Sequence, residues 1–298
     1  MQREEARNNL HIGINLLLQG DDSGAKGIWM PVLVEGMVQN VEDWPRELVQ
    51  LLEINCIQQL QSGNFRTARI CYLTALEIDE NYKNEVLETI LLWPEQYLLH
   101  CEARDYQFTV DWFGQNILVW QQFLQRFTCL PDLAFLEIGS WEGRSTCWIL
   151  DNILTHKSST ITCVDTFEGS IEHKKLNKHF LSSLKSIFDY NINQTGRANQ
   201  VKKIVGKSQE ILRQLPLDMY DFLYIDGSHL APDVLEDALL GWRLVKVGGI
   251  IIFDDYEWPV EPPTYAPKLA VDAFLNVFAD KIKLVYKGYQ VIIEKIDS

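Results

Sequence analysis

From Leu133 onward the chain alternates short apolar, β-branched runs with longer amphipathic ones, and this rhythm restricts the fold more than any other feature. The short runs are LAFLEIG (133–139), TITCVDTF (160–167), VKKIVG (201–206), YDFLYIDG (220–227), GGIIIFDDY (248–256), IKLVYKG (282–288) and YQVIIEK (289–295). Helical patterns fill the first gaps, among them 144–154 and 232–245, the latter opening on Pro232, where a missing N–H costs least. Strand and helix in alternation predict parallel βαβ units, and so an α/β, Rossmann-like, doubly wound sheet of seven strands. The last two strands are separated only by the Gly288-Tyr289 turn. They predict an antiparallel terminal hairpin at the sheet edge.

The first hundred residues lack strand alternation and carry apolar residues at three- and four-residue spacing, so this part reads as all-α. Two segments within it match. Gly20, Ala25, Lys26, Trp29 and Leu33 recur as Gly63, Ala68, Arg69, Tyr72 and Leu76 at a constant offset of 43. A turning glycine, a small alanine at a close crossing and a large aromatic one turn later describe one helical hairpin used twice. The second copy resembles half of a tetratricopeptide repeat (TPR), though its period is long and no Pro follows Asp79. A third helical stretch, 84–127, is expected to cap the array, and LPD at 130–132 marks the junction. The expected domains are a TPR-like helical domain, 1–128, and an α/β domain, 129–298.

A net charge of −14 disfavours long-range attraction to nucleic acid or an anionic membrane. The basic run HKKLNK, 173–178, is a local exception, read as a solvated face or a greeting for an anionic group. Six cysteines without CxxC spacing read as buried thiols in a reducing, cytoplasmic compartment rather than a zinc site or disulfide frame. The N-terminal apolar stretch is too short for a signal peptide or membrane span.

Doubly wound sheets bind ligands beyond the carboxyl ends of their strands. Polar residues cluster at those ends: Glu137, Gly139, Ser140 and Gly143 after the first run, Asp165 after the second, and Gly206 to Ser208 after the third. Asp226 to His229 follow the fourth, and Asp254 and Asp255 the fifth. A dinucleotide fingerprint places a glycine where GSWEGRS has Trp141, and no Gly-Lys-Ser/Thr follows for a P-loop. Glu142 would moreover repel a phosphate. The loop reads as one built for a cofactor without phosphate. Singly, each feature has a plain reading as a tight turn or a helix cap; five strand ends in one order are the stronger observation.

EIGSWEGRST, VDTF, DFLYIDGSH and GGIIIFDDY together resemble, in order, the motifs of class I S-adenosylmethionine (SAM)-dependent methyltransferases, over about residues 133–295. The likeness is nearest to O-methyltransferases of the macrocin type. It implies that Gly139, Ser140 and Gly143 pass close to the methionine part of SAM, with Glu137 orienting the loop or the amino group. It further implies that Asp165 accepts from the ribose diol, that Thr166 and Phe167 lie beside the adenine, and that Ser208 touches its edge.

On the acceptor side, Asp226, Asp254 and Asp255 would repel one another at one mouth unless separated or compensated by a cation. Oxygen ligands favour Mg²⁺ or Ca²⁺ over zinc. Metal-dependent relatives of the catechol and macrocin types carry acids at the matching strand ends, which implies Asp226, Asp254 and Asp255 as ligands, with Asp226 also beside the cofactor. His229 falls where catechol-type enzymes carry a lysine base, and a histidine suits proton removal at neutral pH. The plain readings are loop capping for the Asp pair and packing at a helix start for His229.

The crossover after 167 is expected to fold over the acceptor pocket, and Trp258 and Tyr265 offer rings that could stack on a planar or sugar-like acceptor. The expected function is therefore SAM-dependent O-methylation of a small-molecule or glycan hydroxyl, assisted by Mg²⁺, with a protein partner for the helical half. The competing reading is an inactive methyltransferase-like scaffold whose helical half does the binding. A nucleotide-sugar or NAD enzyme lacks its fingerprint here, and DGSH is not the Asn/Asp-Pro-Pro-Tyr/Phe signature of amine or base methylation.

Overall fold

A computed structural model describes residues 3–39, 44–62, 64–169, 178–258 and 266–298. Gly63 of the repeat, 173–177 of the basic run and Tyr265 lie outside them. The chain forms two compact units, 1–99 with 117–119 and 100–116 with 120–298. The division falls near residue 100 rather than at the expected 128.

The first unit is helical. Helices α1 (Arg3–Leu18) and α2 (Asp22–Gln39) form one hairpin, and α3 (Trp44–Gln61) and α4 (Phe65–Ile78) a second. Helices α5 (Glu85–Leu91) and α6 (Trp93–Ala103) follow. The repeat is visible in the packing: Ala25, Trp29, Ala68 and Tyr72 are all buried. Gly13 and Cys56 extend the match at the same offset, and each faces its hairpin's ring. The Trp29 indole lies over Gly13 and donates from Nε1 to the Leu10 carbonyl at 3.0 Å. A Cβ on Gly13 would stand 2.1 Å from that nitrogen.

The second unit is the α/β sheet. Its strands are β1 (Ala134–Ile138), β2 (Thr160–Asp165), β3 (Val201–Val205), β4 (Tyr220–Ile225), β5 (Val245–Phe253), β6 (Ile282–Lys287) and β7 (Val291–Lys295). They are ordered β3-β2-β1-β4-β5-β7-β6. The first five run parallel, and β7 inserts antiparallel to both β5 and β6. Strand β1 is buried along its whole length, as a central parallel strand covered on both faces must be. Strand β3 stands at one edge, where Lys202 and Lys203 interrupt its apolar pattern.

Helices α7 (Ile117–Leu124), α8 (Arg144–Asn152), α9 (Lys178–Gln194), α10 (Ser208–Ile211), α11 (Ala231–Trp242) and α12 (Pro267–Val277) complete the chain. Helices α11 and α12 pack together over the core of β4, β5 and β7, with Trp242 and Phe274 between them. The opposite core is aromatic: Phe135, Trp120, Trp148 and Phe222 meet ring to ring. The helix expected over 232–245 ends at Trp242, because Val245 already pairs with Tyr220 as the start of β5. The stretch expected to be helical over 84–127 is broken between residues 104 and 113 by an irregular strap, which Asp105 enters in a left-handed conformation (φ +55°). Five cysteines are buried as expected, whereas Cys129 is exposed.

Replacing Gly13 by alanine should displace the Trp29 indole and destabilise the helical unit by about 1–3 kcal/mol. A lowered urea midpoint of the helical signal checks this; an unchanged midpoint would show that the crossing tolerates a methyl group.

Candidate functional site

Strand order reverses between β1 and β4, so the carboxyl ends of these two strands open the crevice where such sheets hold ligands. Gly139 (φ +84°) leaves β1, and a Cβ there would stand 1.9 Å from the Asp226 carbonyl at the end of β4. Glycine is required by both the conformation and the approach. Gly143 (φ +82°) closes the loop against Phe188 of α9.

Glu137 is fully buried, and its carboxylate accepts from Ser140 Oγ and Ser145 Oγ, each at 2.6 Å, and from the Thr146 hydroxyl. Burial raises its pKa while the hydroxyls pull it back down. With both oxygens so engaged, Glu137 holds the loop to α8.

Asp165, at the end of β2, clamps the same loop. Its Oδ2 accepts from the Ser140 and Trp141 amides at 2.7 and 2.9 Å, and its Oδ1 from the Phe167 amide at 2.6 Å. A phosphate-binding loop offers such amides to its ligand; here they are spent on a carboxylate. A carboxylate has about four acceptor positions, so one remains. The Phe167 ring is buried on Phe188 at 5.3 Å, which leaves its main chain, not its ring, for a ligand. Thr166 accepts from the Glu168 amide at 3.2 Å. The Ser208 hydroxyl meets the buried carboxylate of Asp237 on α11, turning it from the crevice edge expected of it.

Glu142, read from sequence as a repellent to phosphate, is buried and accepts from the Thr109 amide and hydroxyl at 2.9 and 2.7 Å. Asn191 of α9 accepts from the Gln107 amide at 2.7 Å and donates to the Glu142 carbonyl at 2.8 Å. The strap is thereby sewn onto the glycine loop, and Trp112 meets Trp141 at a tilt with ring centroids 5.5 Å apart, Trp141 being itself 6.0 Å from Phe180. Nothing in the composition of 104–113 signals this role, because its contacts are long-range.

At the ends of β4 and β5 the acids separate. Asp254 is buried and turned inward: its Oδ2 accepts from Gln290 Nε2 at 3.0 Å and from the Tyr224 hydroxyl, and its Oδ1 from the Asp255 amide. The Tyr224 hydroxyl also lies 3.0 Å from Asp226 Oδ2. Asp255, left-handed at φ +56°, points the other way, 2.9 Å from His229 Nε2 and 2.5 Å from the Tyr289 hydroxyl. His229 rests edge-on against Trp258 at 4.4 Å. Desolvation and the neighbouring acids raise the pKa of Asp226 well above the usual range, and the same causes raise that of Asp254.

Ligand atoms of Asp226, His229 and Asp255 all lie within 4.8 Å of one another. Of the three acids expected to gather, Asp254 is therefore not in the cluster, and His229 takes its place. Asp254 and Asp255 separate because adjacent residues beyond a strand end diverge, one to the core and one to the crevice.

Residues 136–256 match the methyltransferase domain family. An uncharacterized protein of Acanthamoeba polyphaga mimivirus is 30% identical over 126 residues, 42% of this chain and 52% of its own. A "putative O-methyltransferase" of Mycobacterium sp. (strain JLS) is 26% identical over 119 residues, 40% and 46% of the two chains. The chain spans about half the length of these curated relatives. Among solved structures, the O-methyltransferase NovP is similar with a TM-score of 0.47 at 22% identity, over 61% of this chain and 79% of that one. The Bacillus cereus O-methyltransferase in complex with S-adenosylhomocysteine scores 0.46 at 15% identity, over 75% and 96%. No helix among the described residues is long and apolar enough to cross a membrane.

Beneath the crevice, desolvation pushes the Asp237 carboxyl up to about 7 from an ordinary 3.8. A carboxyl raised on folding stabilises most below its unfolded pKa, and that contribution is lost as pH climbs through the folded value. Asp237→Asn should therefore gain on the wild type between about pH 4 and 7, by up to a few kcal/mol. Urea unfolding at both pH values checks this; a pH-independent difference would remove the raised carboxyl.

Proposed function

We propose that the chain is a class I, macrocin-type methyltransferase that transfers the methyl group of SAM to the oxygen of a small-molecule or glycan acceptor. The observation that carries the reading is the meeting, at one mouth of the sheet, of a clamped glycine loop with the Asp226, His229 and Asp255 cluster. The residues present suit the cofactor's chemistry. Loop amides closed to phosphate and a mouth rich in carboxylates favour a ligand with a positive centre, as a sulfonium is. Bound there, SAM supplies an electrophilic methyl group on sulfur.

Gly139, Ser140 and Gly143 line the loop, and Asp165 keeps one acceptor position for a ribose hydroxyl. The main chain of Thr166 and Phe167 would border the base. His229 Nδ1 takes the acceptor's hydroxyl proton, because Nε2 faces the Asp255 carboxylate at 2.9 Å, which orients the imidazole and steadies its charged form. The exchange leaves the proton on His229, a methyl ether on the acceptor and S-adenosylhomocysteine as the leaving group.

A second reading follows from the same three groups. Asp226, Asp255 and His229 form a compact oxygen and nitrogen donor set, and the repulsion between the acids favours a divalent cation. Such a cation lowers the pKa of a bound hydroxyl. The imidazole widens the choice from Mg²⁺ to first-row transition ions. The helical unit, with its paired TPR-like hairpins, is proposed to bind a protein partner in a reducing, cytoplasmic compartment.

Calorimetric titration with S-adenosylhomocysteine, with and without Mg²⁺, tests the reading. Micromolar binding is expected, weakened about tenfold or more in Asp165→Ala as loop and ribose contacts are lost together. A folded chain that ignores the ligand would leave the inactive-scaffold alternative. His229→Gln separates the two roles of that residue: a base loses about 10²–10⁴ in kcat with cation affinity intact, whereas a ligand loses cation affinity.

A further inference from the structure

Tyr256 directly follows Asp255, and its amide donates to the Tyr289 carbonyl at 2.9 Å, so it belongs to the same corner of the sheet. Its ring is buried and has two ammonium groups over it: Lys268 Nζ lies 4.5 Å from the ring centroid and Lys287 Nζ 4.8 Å. The Tyr256 hydroxyl accepts from Lys268 at 2.6 Å and donates to Asp272 Oδ1 at 2.8 Å. Asp272 also meets Lys268 at 2.5 Å and Lys287 at 3.4 Å.

Among the described residues, two cations thus share one carboxylate in this cluster. Both ammoniums stay protonated, because Asp272 and Tyr256 raise them further. Their side chains are 54% and 41% exposed, so donors remain for a ligand. Lys268 also stands in the first turn of α12, where no acid accompanies it and where a helix dipole disfavours a cation. A network that served only to pin α12 to the hairpin would be better built with balanced charge. On a chain of net charge −14, two ammonium groups gathered on one carboxylate mark a place for a negative group.

We infer that Lys268 and Lys287, held about the Tyr256 ring, form a subsite for an oxyanion carried by the acceptor, a carboxylate, sulfate or phosphate group remote from the hydroxyl that is methylated. This rests on the methyltransferase reading of the neighbouring mouth. The arrangement divides acceptor recognition in two. The acid and imidazole side handles the hydroxyl, and the lysine side fixes the far end, which sets which hydroxyl is presented.

Inorganic phosphate, sulfate and acetate, titrated separately into the full chain and followed by amide shifts of Tyr256 and Gly288, test the subsite. At least one anion should saturate in the low-millimolar range, and the response among the three tells which oxyanion is preferred. Binding should weaken about tenfold or more in K268Q/K287Q and persist in K268R/K287R, since a charge rather than a particular side chain is required. K268Q alone serves if the double variant fails to fold. Absence of saturation, or equal affinity in the glutamine variant, overturns the inference. S-adenosylhomocysteine titrated into the same samples keeps the two readings apart. Cofactor binding without anion binding removes the subsite alone, and anion binding without cofactor binding removes the methyltransferase reading alone.

Discussion

A carboxylate buried in the middle of the central strand governs the candidate site. Glu137 sits on β1 with no exposed surface, and a charge there is tolerable only when hydrogen bonds replace its lost water. The donors come from Ser140 in the loop and from Ser145 and Thr146 at the start of α8. Three hydroxyls converging on one group fix the turn from strand to helix. The loop consequently leaves the sheet in one shape, with Gly139 pressed against the end of β4.

The rest of the mouth follows from that shape. Once the loop is placed, the Ser140 and Trp141 amides face Asp165, which joins the ends of β1 and β2. Glu142 is carried to the side, where it captures Thr109 and brings the strap with its exposed Trp112 over Trp141. Asn191 secures strap and loop to α9 in the same way. The crevice is therefore assembled by polar side chains that each bind backbone of a neighbouring segment, a form of connection that fixes position without requiring bulk.

How much of this was legible in the sequence depended on the range of the interaction. The seven strands announced themselves through local runs such as LAFLEIG and GGIIIFDDY, and the terminal hairpin through a two-residue turn. The positions of Gly139, Asp165, Asp226 and Asp255 followed because strand ends are local features and the sheet order brings them together. Side-chain direction was not legible. Asp254 and Asp255 are adjacent in sequence yet face opposite ways, Phe167 turns into the core, and Ser208 turns to Asp237. The strap falls inside the longer stretch expected to be helical, while the contacts that hold it extended lie 33 to 84 residues away.

The inward turn of Asp254 has a consequence for the charge of the mouth. The Tyr224 hydroxyl has one proton and stands within reach of both Asp254 and Asp226, so it can donate to only one of them. Gln290 satisfies Asp254 from the other side, and its own oxygen is held by the Trp120 indole at 2.7 Å, which fixes the amide's orientation. Asp254 is thus the better solvated of the pair by protein groups, and Asp226 is left the more costly charge. That cost falls at the crevice, next to the glycine loop, where a positive partner offsets it: the imidazolium of His229, a divalent ion, or a sulfonium. A site whose folded chain leaves one carboxylate short of donors is poised for a cation, and the fixed Trp120, Gln290, Asp254 and Tyr224 chain behind it keeps that demand directed outward.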